Sequence, residues 1–331
     1  MINRPTMRSV GHTLRACARP TRELGRRCLL GLATVCAVTL PAHAETGRIG
    51  VSVTDLGNPF FVRVARAVES TARRVVGPEA RVYVVSNAYN LKRQSEQIDD
   101  FIAKKVDLII LIATDPVEIE PAVRKAQAAG IRVVAVDVRA AGADATFTTD
   151  NVQAGELACK YIAERLKGQG KVVIVSGPMV TAITDRMAGC MSQLSVHPGI
   201  QILSSDTNGG GSSEGGFAKM TDLLTVHPHI DAVFTINDPT ALGVEEAALQ
   251  AGRHEFFIVG IDGAPKVKAR LRDPASLIFG TVAQKPDRMA QLAVEAGYAL
   301  VRNKPVAKRI VLIPGELLTR DAPLKSNDWE Q

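Results

Sequence analysis

Apolar and polar positions along this chain alternate between two rhythms. Residues 49–53 are a short apolar, β-branched run, Ile-Gly-Val-Ser-Val, and predict a buried strand. Gly57-Asn58-Pro59 stops that strand and turns the chain. Apolar positions then recur at Val64, Val68 and Ala72, the spacing of one helix face. The alternation continues with strands at 81–86, 108–112 and 132–136 and helices at 94–104 and 117–129, the last closed by Gly130. It restarts where Asp150-Asn151 offers a cap to a helix over 152–166. Strands follow at 171–175, 200–204, 232–236, 256–259 and 277–282, with helices at 185–194, 217–225 and 240–251. A long helix at 287–301 and a last strand at 307–313 complete the pattern. Continuously apolar strands separated by helices imply parallel sheets covered on both faces. No repeat is visible, yet both halves obey one grammar. The expected fold class is α/β, with two similar doubly wound, Rossmann-like domains.

Composition changes this picture at one end. The first 44 residues hold seven Arg and a single acid, Glu23, followed by an apolar run over 28–40 and Ala42-His43-Ala44. A basic region, a short apolar core and an A-x-A site predict a cleaved secretory signal, with the mature chain starting at Glu45 in the periplasm. Arg26-Arg27 partly resembles a twin-arginine signal, and ordinary Sec export is the other route. Val35 disfavours a lipidated start at Cys36, and Met7 is an alternative first residue. Removing this segment leaves 33 of the 40 basic and 33 of the 34 acidic residues, so the mature chain is near neutral and gives no sign of nucleic-acid binding. Cys159 and Cys190 alone remain, on the helices flanking the 171–175 strand. In an oxidising compartment they either pair or stand as two buried thiols.

Candidate chemistry collects just past the strands, where open α/β sheets place ligands. Asn58, Asn87, Asp115, Asp137, Asn237, Asp262 and Gln284 all occupy such positions, with Phe60 and Phe61 beside the first. Carboxylates accept hydroxyl protons, amides both donate and accept, and a ring packs on a C–H face, so the set suits a neutral polyhydroxylated ligand. Taken singly, each Asp reads equally as a helix cap and the Phe pair as core. Other chemistry finds no support. The Gly-rich 209–216 stretch lacks the Gly-Lys-Ser/Thr of a phosphate loop, and no G-x-G-x-x-G follows the first strand. His227-Pro228-His229 has no third metal ligand, and Ser176 is not in a G-x-S-x-G elbow.

Several stretches together carry a family resemblance: Asn58-Pro59-Phe60-Phe61, Asp150-Asn151, Asp185-Arg186, Phe234-Thr235-Ile236-Asn237-Asp238, Val259-Gly260-Ile261-Asp262-Gly263 and Ala283-Gln284-Lys285-Pro286. Over nearly all of residues 47–320 the chain resembles periplasmic sugar-binding proteins of the ribose-binding type. The resemblance implies ligand contacts at Asn58, Phe60, Phe61, Asp137, Arg186, Asn237, Asp262 and Gln284. It implies domains at 45–148 plus 285–314 and at 149–284 plus 315–331, joined by three crossovers and closing on a cleft ligand. It also implies a monomer without cofactor or metal, whose partners are a sugar or polyol and the permease of an ATP-driven importer, or alternatively a membrane sensor. A glycoside-cleaving enzyme using Asp137 and Asp262 is the competing class. A sugar-responsive repressor is rejected, because the signal segment occupies the place of a DNA-binding domain. Three departures from the ribose binders stand out. Val138 occupies the place of an Arg, with Arg139 one residue later on the other face of an extended chain. Ala113 replaces an Asn, and the 209–213 stretch lacks an aromatic. Ribose is therefore not the expected best ligand.

Overall fold

In the computed structural model, which describes residues 47–322, the strand–helix alternation builds two sheets. The first half supplies β1 (Arg48–Val53), α1 (Pro59–Val75), β2 (Arg81–Ser86), α2 (Leu91–Ala103), β3 (Leu108–Leu111), α3 (Glu120–Ala128), β4 (Arg132–Val136) and β5 (Ala145–Thr149). The second supplies α4 (Asn151–Arg165), β6 (Gln169–Ser176), α5 (Thr181–Leu194), β7 (Gly199–Asn208), α6 (Ser213–Val226), β8 (Ala232–Thr235), α7 (Asp238–Gln250), β9 (Phe257–Asp262), α8 (Pro265–Arg272) and β10 (Ile278–Ala283). The chain ends its described course with α9 (Pro286–Val301), β11 (Ile310–Ile313) and β12 (Glu316–Thr319).

Strand order is β2-β1-β3-β4-β5-β11 in one sheet and β7-β6-β8-β9-β10-β12 in the other, so the two halves share one topology. Described pairs are parallel except β10 with β12. Each half winds outward once and then reverses, between β1 and β3 and between β6 and β8. That reversal opens the crevice at the carboxyl ends of the strands. The chain passes from one sheet to the other after β5, after β10 and after β11. The cores are built as parallel sheets require: β3 and β8 are buried along their whole length.

Helices α4 and α5 meet at unusually short range. A Cβ on Gly155 would stand 2.0 Å from the carbonyl oxygen of Arg186, and one on Gly189 would stand 2.0 Å from that of Val152. Only glycine allows the two backbones to approach this closely. A disulfide between Cys159 and Cys190 ties the same two helices, which resolves the choice between pairing and free thiols.

Several elements differ from the sequence expectation. β5 was not expected: Thr146, Thr148 and Thr149 are polar by composition, yet all three are buried within the sheet. α5 starts at Thr181 rather than 185 and α6 at Ser213 rather than 217, where Ser212 caps the helix. The helix expected from 117 starts at Glu120, because Asp115 holds the amides of Val117 and Glu118 in a preceding turn. α8 and β12 were not expected, and the strand expected from 307 starts at Ile310. The signal segment and Trp329 lie outside the described residues.

Candidate functional site

Helix starts fix the polar groups at the crevice. Asn58 precedes α1 in an extended conformation, and its Oδ1 accepts from the Phe60 amide at 2.9 Å, with Pro59 opening the helix. Asn237 does the same for α7, accepting from the Thr240 amide at 3.0 Å and the Thr240 hydroxyl at 2.6 Å. Capping thus positions two carboxamides and leaves their nitrogens directed elsewhere: Asn237 Nδ2 donates to the Gly211 carbonyl at 2.9 Å.

Asn58, Phe60, Phe61, Asp137, Arg186, Asn237, Asp262 and Gln284 line one cavity between the two sheets. Asn87 and Asp115 do not. Asn87 is fully buried, its Oδ1 accepting from Thr114 and Tyr89, and Asp115 holds its local turn. Phe60 and Phe61 are both buried and meet edge to face, with centroids 5.5 Å apart. Water-sized spheres have about 50 Å³ open to their centres. Restoring a radius of about 1.4 Å to a ball of that volume gives roughly 210 Å³, room for one monosaccharide ring and not for two.

The charged groups form one cluster. Arg186, on α5, donates from Nε to Asn151 Oδ1 at 2.8 Å and from Nη1 to the Ile236 carbonyl at 2.7 Å. That same Nη1 lies 4.0 Å from Asp262, whose Oδ1 accepts from Gln284 Nε2 at 2.7 Å. Gln284 in turn accepts from the Thr149 hydroxyl at 2.6 Å, linking two of the passages between sheets. Asp137 Oδ1 is buried with no hydrogen-bond partner among the described residues. Neither aspartate is a helix cap. Both hold backbone strain instead, at φ 64° for Asp137 and 144° for Asp262, a region L-residues rarely occupy.

Burial dominates the electrostatics. It raises the Asp137 carboxyl above its ordinary range, with Arg186 opposing. Burial also pushes Asp262 up to about 6, opposed by Arg186 and the Gln284 hydrogen bond. Asp238, fully buried behind Asp262, is pushed up to about 8 by burial and by the Asp262 charge. Its carboxylate accepts from the Thr281 hydroxyl and the Ala264 amide, each at 2.7 Å.

Three features escaped the sequence reading. Tyr89 lines the cavity from the turn between β2 and α2, held in the left-handed region at φ 56°. Its hydroxyl sits 3.8 Å from where a Cβ on Gly211 would stand, so a ring from the opposite lobe faces the Gly-rich wall. Burial and then the charges of Asp55, Asp137 and Asp262 push its phenol to about 12, although 41% of the residue remains exposed. An aromatic at the end of a strand was the available signal, as with Phe60. Arg139 lies outside the cavity and reaches across the crevice. Its guanidinium makes a two-pronged pair with Asp185 at 2.7 and 3.2 Å, and its amide donates to Thr181 Oγ1 at 2.9 Å. The lobes therefore stand closed on each other. Asn151 is the third, the residue that orients Arg186.

Comparison with known proteins agrees with this geometry. The periplasmic binding protein domain family matches residues 49–305. The chain is 31% identical over 292 residues to the ribose import binding protein of Bacillus subtilis, covering 85% of this chain and 93% of that protein. An ABC-transporter solute-binding protein from Actinobacillus succinogenes with bound D-allose superposes with a TM-score of 0.76 at 25% identity, over 83% of this chain and 98% of that one. The fructose-binding periplasmic domain of a hybrid two-component system gives a TM-score of 0.76 at 26% identity, over 83% and 91%. Two sheets of one topology, a crevice between them and a match across most of the chain lead to a single assignment: the protein belongs to the periplasmic binding protein domain family.

Proposed function

We propose that this protein is the periplasmic substrate-binding component of an ABC importer. It captures one monosaccharide or polyol by closing its lobes and delivers it to a membrane permease. The observation that carries the reading is the buried Asp137 Oδ1, without a hydrogen-bond partner among the described residues, in a ring-sized cavity beside Arg186 and Asp262. A buried polar atom without a partner costs about 1–3 kcal/mol, which a ligand hydroxyl relieves. In this reading Asp137 and Asp262 accept hydroxyl protons. Arg186, Asn58, Asn237 and Gln284 donate, and Phe60 and Phe61 pack on C–H faces. The lobes are 45–148 plus 285–314 and 149–284 plus 315–331. The protein acts as a monomer, without cofactor, and is exported through cleavage before Glu45.

Catalysis is not part of the reading. Glycoside cleavage needs one carboxyl kept ionised beside one that holds a proton, and burial raises both Asp137 and Asp262, marking neither as the ionised partner. The resemblance to the fructose-binding sensor domain favours one second role, presentation of the closed form to a membrane sensor. Val138 and Ala113 remove two polar contacts, so ribose is not the best ligand. A thermal-shift screen of sugars and polyols, followed by calorimetry and X-ray scattering, tests the proposal. One tight ligand, compaction on binding and weak competition by ribose are expected. Absence of any binding sugar or polyol, or tight binding without compaction, overturns it. Release of product from aryl glycosides reinstates the enzyme.

A further inference from the structure

The cavity lining holds two unlike sets of residues. Polar groups converge around the chain of contacts from Arg186 through Asp262 to Gln284, with the Asp137 charge close enough to help push the pKa of Asp262 upward. The same lining also holds Ala113, Val138, Val180, Ala182 and Ile183, which offer no side-chain hydrogen-bonding group. The amides of Val138, Val180 and Ile183 are held within the chain, by the carbonyls of Val136, Pro178 and Val180. Thr181, the one polar side chain in this stretch, turns its Oγ1 to the Arg139 amide.

This apolar set draws on both sides of the cleft. Ala113, Val138 and Ala182 belong to the buried apolar cluster of the first sheet, and Ile183 belongs to a cluster of the second. Val180 packs against both. Closing the lobes therefore completes an apolar seam at the same moment that it completes the polar cluster. A ligand hydroxyl against the seam loses its water and gains no partner, while a C–H or methyl group is matched.

We infer that the ligand presents a methyl or deoxygenated edge to the seam formed by Ala113, Val138, Val180, Ala182 and Ile183, and that the fitting class is the 6-deoxyhexoses. The inference rests on the sugar-binding reading above and narrows it. Such a ring fits the single-ring volume of the cavity. Its remaining hydroxyls meet two carboxylate acceptors and those N–H groups of Arg186 and Gln284 that the bonds to Asn151, Ile236 and Asp262 do not use.

The test is calorimetry on the exported protein with matched pairs: L-fucose and L-galactose, D-fucose and D-galactose, L-rhamnose and L-mannose, D-quinovose and D-glucose. Fully hydroxylated pentoses and polyols complete the panel. The tightest ligand is expected to be a deoxy member, its hydroxylated counterpart binding about ten- to a hundredfold more weakly. Val138→Thr, which keeps the side-chain shape, and separately Ile183→Thr should the first fail to fold, should narrow that ratio, because each places a hydroxyl partner on the seam. A hydroxylated hexose, pentose or polyol that binds more tightly than every deoxy sugar overturns the inference and leaves the sugar-binding reading standing. Equal affinities within the pairs do the same. No binding by any member overturns both.

Discussion

Replacing Arg139 with Ala removes the two-pronged contact to Asp185, at 2.7 and 3.2 Å, while sparing the backbone bond to Thr181. The side chains are 40% and 25% exposed, so water and salt screen much of the attraction. Exposed ion pairs contribute about 0.2–1 kcal/mol, and the two-pronged geometry places this one near the upper end. The pair joins the lobes only when they are closed, so its loss destabilises the closed form relative to the open one. Where the ligand binds the closed form and the open form dominates without it, the whole difference enters the apparent affinity. About 1 kcal/mol raises the apparent Kd roughly fivefold. Calorimetry with the tightest sugar should show that loss at low salt. At about 1 M salt, where the screening length falls to about 3 Å, the loss should shrink below about twofold. Asp185→Ala should match it, and the double variant should be no weaker than either single one. Unchanged affinity in both single variants, or additive losses in the double one, refutes the idea that this pair sets closure.

Other consequences are open to measurement. Asp262→Ala or Arg186→Ala should weaken sugar binding about ten- to a hundredfold in calorimetry with the fold intact; unchanged affinity in both removes the charged cluster from the ligand site. The unliganded protein should lose stability as pH rises. Asp262 near 6 and Asp238 near 8 hold protons that the unfolded chain releases from about pH 4 upward, so the unfolded state binds fewer protons through that window. Asp238→Asn should flatten the slope of Tm between pH 5 and 8, and an unaltered slope refutes the assignment. Reducing Cys159–Cys190, which are separated by 31 positions, should lower unfolding stability by about 4 kcal/mol. Two titratable thiols in the denatured, unreduced protein would show that the bond does not form.

Sequence alone exposed the scaffold well, because buried parallel strands are apolar throughout and need no partner to be recognised. β3 and β8 are of this kind. β5 escaped because Thr146, Thr148 and Thr149 are polar by composition yet pack as β-branched residues inside a sheet. At the site, the groups standing directly after strands could be read one by one, Asn58, Asp137, Asn237 and Asp262 among them. What they do with their hydrogen bonds could not. Asn237 and Gln284 already engage protein partners, and only the folded arrangement reveals how little donor capacity they retain. Tyr89 was hidden in a turn whose left-handed backbone has no periodic signature. Arg139 was read as missing from the ligand, which its place outside the cavity matches. Its partner Asp185, on the far side of the crevice, was beyond the reach of local pattern.

The contact at Gly155 and Gly189 bears on how this protein can diversify. With a carbonyl 2.0 Å from each absent Cβ, neither position admits even a methyl group unless α4 and α5 move apart. Those two helices carry Asn151, Asp185 and Arg186, so such a shift would displace the site cation, its orienting amide and the lobe-spanning acid together. Inheritable change in ligand preference is thereby steered away from the helix pair. The freer lining position is Tyr89, 41% exposed in the turn between β2 and α2, whereas Ala113 and Val138 are packed in the core of the first sheet. A laboratory library aimed at new sugars would do best to hold the paired helices constant and begin at Tyr89.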